Sequence, residues 1–136
     1  MAYKLITNKT AKIRRTPKPE RKHKHKYNAQ ATFVDGIRFA SKGEAARYME
    51  LKLLAEHGMI TDLELQPRYE LKSKATTAKG IKLRAITYVA DFAYMENGVE
   101  VVEDFKGHET DMFKLKRKMF LQRYPNKELR IIKRSR

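Results

Sequence analysis

The dipeptide Asn97-Gly98 is the feature that most constrains this chain, because Asn-Gly between apolar segments is the strongest short-range signal for a two-residue type I′ turn. Counting outward from that turn fixes the register of an antiparallel hairpin and places Asp91 opposite Asp104. Facing residues point to the same side of a sheet, and side chains alternate along each strand, so Lys106 is expected on that side as well. The turn therefore predicts a face that carries two carboxylates and one amine.

The two aspartates are unusual residues for such a position. The surrounding residues are mostly apolar or aromatic (Ile86, Tyr88, Val89, Ala90, Phe92, Tyr94), which predicts interior strands. Facing carboxylates repel, and Asp is a poor strand former. A divalent cation such as Mg²⁺, which is held by one or two carboxylates together with waters and phosphate oxygens, would resolve the conflict. The alternative is that both aspartates are exposed edge residues beside an ordinary turn.

Composition limits the class of protein. A chain of 136 residues is expected to form one domain, and the absence of cysteine rules out a disulfide framework and a cysteine zinc site. We expect a protein of the reducing cytoplasm, since no apolar run suits a membrane span or a signal peptide. The net charge of +15 predicts a polyanionic partner, and nucleic acid fits better than a membrane surface.

The positive charge is concentrated at the N-terminus. Residues 1–26 carry ten Lys or Arg against one acid, which predicts a disordered basic arm followed by a folded domain over 27–136. Within the arm, Arg14, Arg15, Lys22 and Lys24 are candidates for contacts to DNA phosphates. A solubilising tail is the alternative interpretation.

Ser41 and Glu44 form a capping-box pattern at the start of a helix that is expected to end near Gly58. Glu44 has two interpretations. Its carboxylate either bonds back to the Ser41 N–H and stabilises the helix start, or it lies on the stripe that faces the core. The two roles do not exclude each other.

The segment 63–72 is predicted to be a strand in which Pro67 marks an edge or a bulge, with Gln66 beside the irregularity. The basic segment 73–84 is expected to form an extended hairpin or a loop that projects toward DNA.

Thr110 is expected to cap a second helix. Five apolar residues are predicted to form its buried side (Met112, Phe113, Leu115, Met119, Phe120), and Lys114, Arg117 and Lys118 its basic face. That face either contacts phosphates or is simply solvated. A final strand over 129–133 implies a parallel right-handed crossover. The predicted fold class is α/β: a mixed central sheet, with an antiparallel meander and one parallel crossover strand, flanked by helices.

The motif of Asp91 followed by Asp104-Phe105-Lys106 resembles the signature of the PD-(D/E)XK nuclease superfamily. The wider pattern adds Ser-x-x-Glu at a helix start, Leu-Glu-Leu-Gln-Pro, Tyr-x-Ala-Asp-Phe and Asp-Phe-Lys-Gly. It is similar to a family of small phage endonucleases related to Holliday-junction resolvases and to transposon donor-cleaving endonucleases. The resemblance covers about 33–133, and Ala90 stands where the superfamily name has proline.

This resemblance implies a restriction-endonuclease-like core and metal-dependent hydrolysis of DNA. It implies that Asp91, Asp104, Glu44 and the Phe105 carbonyl hold Mg²⁺ or Mn²⁺, and that Lys106 orients the attacking water or stabilises the transition state. Gln66 would lie near this site as an auxiliary residue. An edge glutamine with an ordinary hydrogen bond is the alternative for that position.

The expected substrate is branched or junction DNA, cut in phage recombination or replication in the host cytoplasm, and a homodimer would suit junction resolution. Two other classes stay open: a basic accessory protein that binds nucleic acid without catalysis, and a nuclease-fold protein that has lost catalysis and serves a structural role.

Overall fold

A computed structural model describes residues 31–133. The basic arm over 1–26 lies outside these residues, and so do its candidate DNA contacts Arg14, Arg15, Lys22 and Lys24. Their roles stay predictions.

The described residues form ten strands and two helices. In chain order these are β1 (Thr32–Val34), β2 (Ile37–Phe39), α1 (Lys42–Glu56), β3 (Thr61–Leu65), β4 (Arg68–Lys72), β5 (Ala75–Thr76), β6 (Lys82–Leu83), β7 (Ile86–Val89), β8 (Phe92–Glu96), β9 (Val99–Lys106), α2 (Asp111–Arg123) and β10 (Glu128–Lys133). Neither helix is long and apolar enough to cross a membrane.

The central sheet has the strand order β10-β9-β8-β3, in which β10 runs parallel to β9 and the other neighbours are antiparallel. Asn97 and Gly98 form the turn between β8 and β9, with φ values of 51° and 78°. The predicted hairpin register is confirmed, since Glu96 faces Val99. The parallel crossover through α2 to β10 is confirmed as well.

The two helices cover opposite faces of the sheet. On one face, Tyr48 and Leu51 of α1 pack in a core with Phe92, Tyr94 and Val101. On the other face, two aromatic residues of α2 pack in a second core with strand residues of the sheet and of β4 and β7 (Phe113, Phe120; Tyr69, Tyr88, Ala93, Val102). The predicted α/β class, a mixed sheet flanked by helices, is confirmed.

The buried side of α2 is narrower than predicted. Phe113 and Phe120 are buried and Met119 is partly buried. Met112 and Leu115, however, leave 61% and 54% of their surface exposed, so the prediction that they are buried was wrong. Residues seven apart lie on one stripe of a helix, and two phenylalanines on that stripe fill the space above the sheet.

Two strands are interrupted at the same level. The predicted strand over 63–72 is divided into β3 and β4 by Gln66 and Pro67, and the segment opposite is divided into β7 and β8 by Ala90 and Asp91. The Gln66 N–H donates to the Asp91 carbonyl at 2.9 Å, and the Ala90 N–H donates to the Pro67 carbonyl at 3.1 Å, so both strands turn together.

Beyond this break, β4 to β7 form a separate antiparallel hairpin, as expected for the basic segment 73–84. Ile86 and Val89 belong to this hairpin and leave 41% and 42% of their surface exposed. The expectation that they lie in the interior was wrong, because the strand that carries them leaves the central sheet.

Candidate active site

Asp91 occupies the point where the central ladder ends. The last β8–β9 pair is Phe92 with Glu103, and the Asp91 N–H still donates to the Glu103 carbonyl at 3.0 Å. The Phe105 N–H, which has no β8 residue opposite it, donates to Asp91 Oδ2 at 2.6 Å. An interior N–H needs an acceptor, so the Asp91 carboxylate replaces the missing backbone partner. Asp91 and Asp104 are therefore adjacent at the break rather than a regular ladder pair.

Asp104 lies under the α2 side of the sheet and is only 2% exposed. The Tyr88 hydroxyl donates to Asp104 Oδ2 at 2.5 Å. Lys106 Nζ lies 3.1 Å from the same oxygen and 4.8 Å from the centre of the Phe113 ring. The structure thus brings Asp104 and Lys106 into direct contact, on the same face of β9, as alternation along the strand predicted.

The electrostatics of Asp91 show how closely the acids are grouped. Burial, the charges of Glu44 and Asp104 and a hydrogen bond to Asp104 together raise the pKa of Asp91 to about 8, although the hydrogen bond from the Phe105 N–H opposes the shift. Near neutral pH the Asp91 carboxyl of the metal-free protein therefore retains its proton. Carboxyl groups that share a site cannot all ionise without a counter-charge.

Glu44 performs the capping role. Its N–H donates to the Ser41 Oγ at 3.2 Å, and its own carboxylate accepts from the Ala40 N–H at 3.1 Å. The sequence predicted a bond back to the Ser41 N–H, so the donor is shifted by one residue, to Ala40. The same carboxylate acts on the pKa of Asp91, which places it beside the acidic pair. A role as a metal ligand stays a prediction.

Gln66 lines a surface pocket together with Glu44 and Asp91; its other lining residues are Ile37, Arg38, Phe39, Leu65 and Phe92. The backbone of Gln66 has φ +50°, in the left-handed region that side chains disfavour. Three of the predicted site residues therefore share one pocket, whereas Asp104 and Lys106 meet Asp91 from the α2 side of the sheet.

Phe105 and Glu103 point to the α1 face, away from Asp104. A Cβ at Gly43 would lie 2.7 Å from Phe105 Cε1, so the absence of a side chain on the first turn of α1 makes room for that ring. Glu103 is 1% exposed and accepts from Arg47 Nε at 3.0 Å and from Arg47 Nη2 at 2.8 Å. This ion pair anchors α1 beneath the strand that carries Asp104.

The basic face of α2 is only partly as predicted. Lys114 and Lys118 are exposed. Arg117, in contrast, is engaged: its Nη1 lies 2.8 Å from Glu109 Oε1, and its guanidinium carbon lies 5.3 Å from the centre of the Phe113 ring. Lys106 is held against the same ring, so Arg117 lies on the side of α2 that is nearest to the acidic pair.

Tyr88 is the site residue that sequence reasoning missed. Tyr88 and Asp91 are an odd number of residues apart, so regular alternation would place them on opposite faces. The break at Ala90 and Asp91 removes that alternation and brings the Tyr88 hydroxyl to Asp104. No local pattern around Tyr88 predicts this contact. Predicting it would have required a sequence signal for the strand break next to Asp91.

The donor set is compatible with a hard divalent cation, although it is small. Among residues 31–133, no three His, Cys, Asp or Glu side chains are arranged as a metal-binding group. Mg²⁺ commonly retains several waters and takes only one or two carboxylates, with substrate phosphate completing its coordination. In the metal-free protein the proton on Asp91 and the Lys106 amine reduce the repulsion between Asp91 and Asp104, and a bound divalent cation would take the place of that proton.

Comparison with known proteins shows the family of this chain. No curated protein and no solved structure matches this chain. The family model described as "Protein of unknown function (DUF1064)" matches residues 24–136, which is most of the chain, and the protein therefore belongs to the DUF1064 family.

Proposed function

We propose that this protein is a metal-dependent DNA endonuclease that hydrolyses phosphodiester bonds with Mg²⁺ or Mn²⁺. The observation that carries the proposal is the cluster at the strand break, where Asp91 meets Asp104 and Lys106 Nζ lies 3.1 Å from the Asp104 carboxylate. Two acids and one amine at the end of a central strand are the groups that the PD-(D/E)XK resemblance implies. A net charge of +15 suits a polyanionic substrate.

Each residue has a distinct task in this proposal. Asp91 and Asp104 would hold the cation, with Glu44 and the Phe105 carbonyl as further ligands. The bound cation would polarise the scissile phosphate and lower the pKa of a water. Lys106 would donate hydrogen bonds to the attacking water or to the developing charge on phosphorus oxygens. Tyr88 occupies one lone pair of Asp104 Oδ2 and so fixes the orientation of that carboxylate.

The substrate class rests on the resemblance to junction-cleaving enzymes. We propose branched DNA or a four-way junction, cut during phage recombination or replication in the host cytoplasm. A homodimer would present two sites to a symmetric junction. Lys114, Arg117 and Lys118, with Arg14, Arg15, Lys22 and Lys24 of the arm, would contact DNA phosphates, and Gln66 would bond a water or a phosphate oxygen in the pocket.

The experiment that tests the activity is cleavage of a labelled four-way junction beside its matched linear duplex, in Mg²⁺, Mn²⁺ or EDTA. The variants are Asp104→Asn and Lys106→Ala, and Asp62→Asn serves as the control because it removes an exposed carboxylate outside the site. We expect metal-dependent cleavage by the wild type and by the control, and none by the two site variants. Paired nicks in the junction alone would indicate a resolvase; cleavage of both substrates would indicate a general endonuclease.

The second candidate is a basic accessory protein that binds nucleic acid without catalysis. It is favoured by the near-complete burial of Asp104 and by the lack of a three-side-chain metal group among the described residues. It predicts that the junction is bound in every condition and is never cut, and that neither Mg²⁺ nor Mn²⁺ raises the melting temperature.

A further inference from the structure

The hairpin beyond the strand break contains two short antiparallel ladders, β4 with β7 and β5 with β6, and we call the whole segment the basic ribbon (68–89). Its pairs run from Arg68 with Val89, through one register shift after Glu70, to Thr76 with Lys82. The turn is closed by the Thr77 N–H, which donates to the Ile81 carbonyl at 2.9 Å. The ribbon starts directly at the break that holds Asp91.

One face of the basic ribbon is cationic. Past the register shift, Lys72 pairs with Ile86 and Thr76 pairs with Lys82, and the constant register between them places Lys74 opposite Arg84. Facing residues share a side, so Lys72, Lys74, Lys82 and Arg84 lie on one face. The other face is turned toward α2 at its base, where Leu71 is buried in the core.

The cations on this face have no ion-pair partner within residues 31–133. Every residue from 72 to 86 is exposed. Among residues 31–133, no carboxylate forms an ion pair with a lysine or arginine of the ribbon. Its single acid, Glu70, accepts instead from the Ser73 hydroxyl at 2.7 Å. The described residues therefore supply no acidic partner for these cations.

The dimensions of the ribbon suit double-stranded DNA. About eleven residues separate Pro67 from the turn, and at about 3.3 Å per residue the ribbon reaches up to about 35 Å from the break. Two strands about 4.8 Å apart, with their side chains, fit a major groove about 12 Å wide. A duplex rises about 3.4 Å per base pair, so the reach corresponds to about ten base pairs.

We propose that the basic ribbon is a duplex-binding arm, which lies along double-stranded DNA next to the acidic cluster and places its cationic face on the phosphates. Binding by the ribbon needs no catalysis. Only the position of the bound duplex relative to the cut rests on the proposed endonuclease function. Phosphate contacts of this kind hold DNA without reading its sequence.

The first test measures affinity for uncut duplex in EDTA over a series of salt concentrations. The variant carries Lys74→Gln, Lys82→Gln and Arg84→Gln, and the control carries the charge-conserving changes Lys74→Arg, Lys82→Arg and Arg84→Lys. Loss of three phosphate contacts lowers the salt slope by about 3 and weakens binding at least about tenfold at low salt. The control should bind like the wild type. A glutamine variant with wild-type affinity and slope, or one that loses affinity for single strands only, overturns the proposal.

The second test locates the ribbon on DNA. The chain has no cysteine, so Lys79→Cys at the turn accepts a photoactivatable crosslinker at one position. We expect crosslinks on the duplex within about ten base pairs of the scissile position, and none from Glu56→Cys, at the end of α1 remote from Glu44. Equal crosslinking from both positions overturns the proposal.

The outcomes separate the two proposals. If the ribbon variant binds like the wild type while the wild type cuts DNA, the ribbon inference fails and the endonuclease stands. If the ribbon variant loses binding and the wild type cuts nothing in Mg²⁺ or Mn²⁺, the endonuclease fails and the ribbon stands.

Discussion

Replacing Asp91 by asparagine should stabilise the metal-free protein while it abolishes the proposed activity. Burial and the neighbouring acids raise the pKa of Asp91 from 3.8 to about 8. Keeping a carboxyl of ordinary pKa protonated at pH 7 costs about 4 kcal/mol, at about 1.4 kcal/mol per pH unit. An asparagine carries no charge, and its Oδ1 can still accept from the Phe105 N–H. We therefore expect the free energy of unfolding of Asp91→Asn to exceed that of the wild type by about 1–4 kcal/mol at pH 8 in EDTA.

The sign of the pH dependence follows from proton binding. Between pH 3.8 and about 8, the folded protein retains a proton on Asp91 that the unfolded chain releases. The contribution of this group to stability is therefore fully present below pH 3.8 and is lost as the pH rises through about 8. The unfolding free energy of the wild type should fall with pH across this window, by up to about 1.4 kcal/mol per pH unit. Asp91→Asn should lack that component.

The assay is urea denaturation at several pH values from 5 to 8 in EDTA, followed by melting curves with and without Mn²⁺. Asp62→Asn is the matched control: Asp62 is exposed, and its φ of +55° is one that asparagine tolerates. The control should parallel the wild type. A ligand that binds only the native state raises its melting temperature, so Mn²⁺ should stabilise the wild type and the control but not Asp91→Asn. Parallel stability curves for wild type and Asp91→Asn in EDTA would refute the reasoning.

Three further substitutions test the contacts around the site. Tyr88→Phe keeps the ring and removes only the bond to Asp104, so we expect a loss of about 1.5–3 kcal/mol in denaturation together with slower cleavage; unchanged stability would mean that the hydroxyl contributes nothing. Glu103→Gln leaves the charge of Arg47 without its buried partner and should lower the free energy of unfolding by about 2–4 kcal/mol. An unchanged midpoint in guanidinium chloride denaturation would contradict this. Gln66→Gly relieves the left-handed backbone and should leave stability unchanged or raise it by up to about 1 kcal/mol; a marked loss by thermal melting would show that the side chain, not the backbone, maintains the break.

Local chemistry made much of the fold predictable. The Asn97-Gly98 turn alone determined which residues of β8 and β9 face each other, because the turn type admits one register. The two helix starts were equally clear. The Ser41 and Thr110 side chains accept from the N–H groups of Glu44 and Phe113, as capping residues do.

The break at the site could not be predicted from local patterns. Pro67 marked an irregularity on one strand, but the segment Tyr-Val-Ala-Asp-Phe on the other is an ordinary strand sequence. Its interruption depends on hydrogen bonds to residues more than twenty positions away, from Gln66 N–H to Asp91 and from Ala90 N–H to Pro67. Tertiary contacts of this kind override the alternation of side chains along a strand. Tyr88 therefore lies on the face opposite to the one that the strand pattern predicts, and Val89 is exposed where the pattern predicts burial.

Two unfavourable features coincide at this break. Gln66 adopts a left-handed backbone conformation, which costs about 1–2 kcal/mol for a residue with a side chain, and Asp91 is held where its charge is disfavoured. They are joined directly, since the Gln66 N–H donates to the Asp91 carbonyl. Strained backbone and crowded acids persist in a folded chain only where the surrounding structure enforces them, and they cluster at functional sites. The same two residues also direct the basic ribbon away from the central sheet. The strand break therefore places the acidic cluster at the base of the cationic ribbon at some cost in stability, and this is the arrangement that the proposed DNA endonuclease requires.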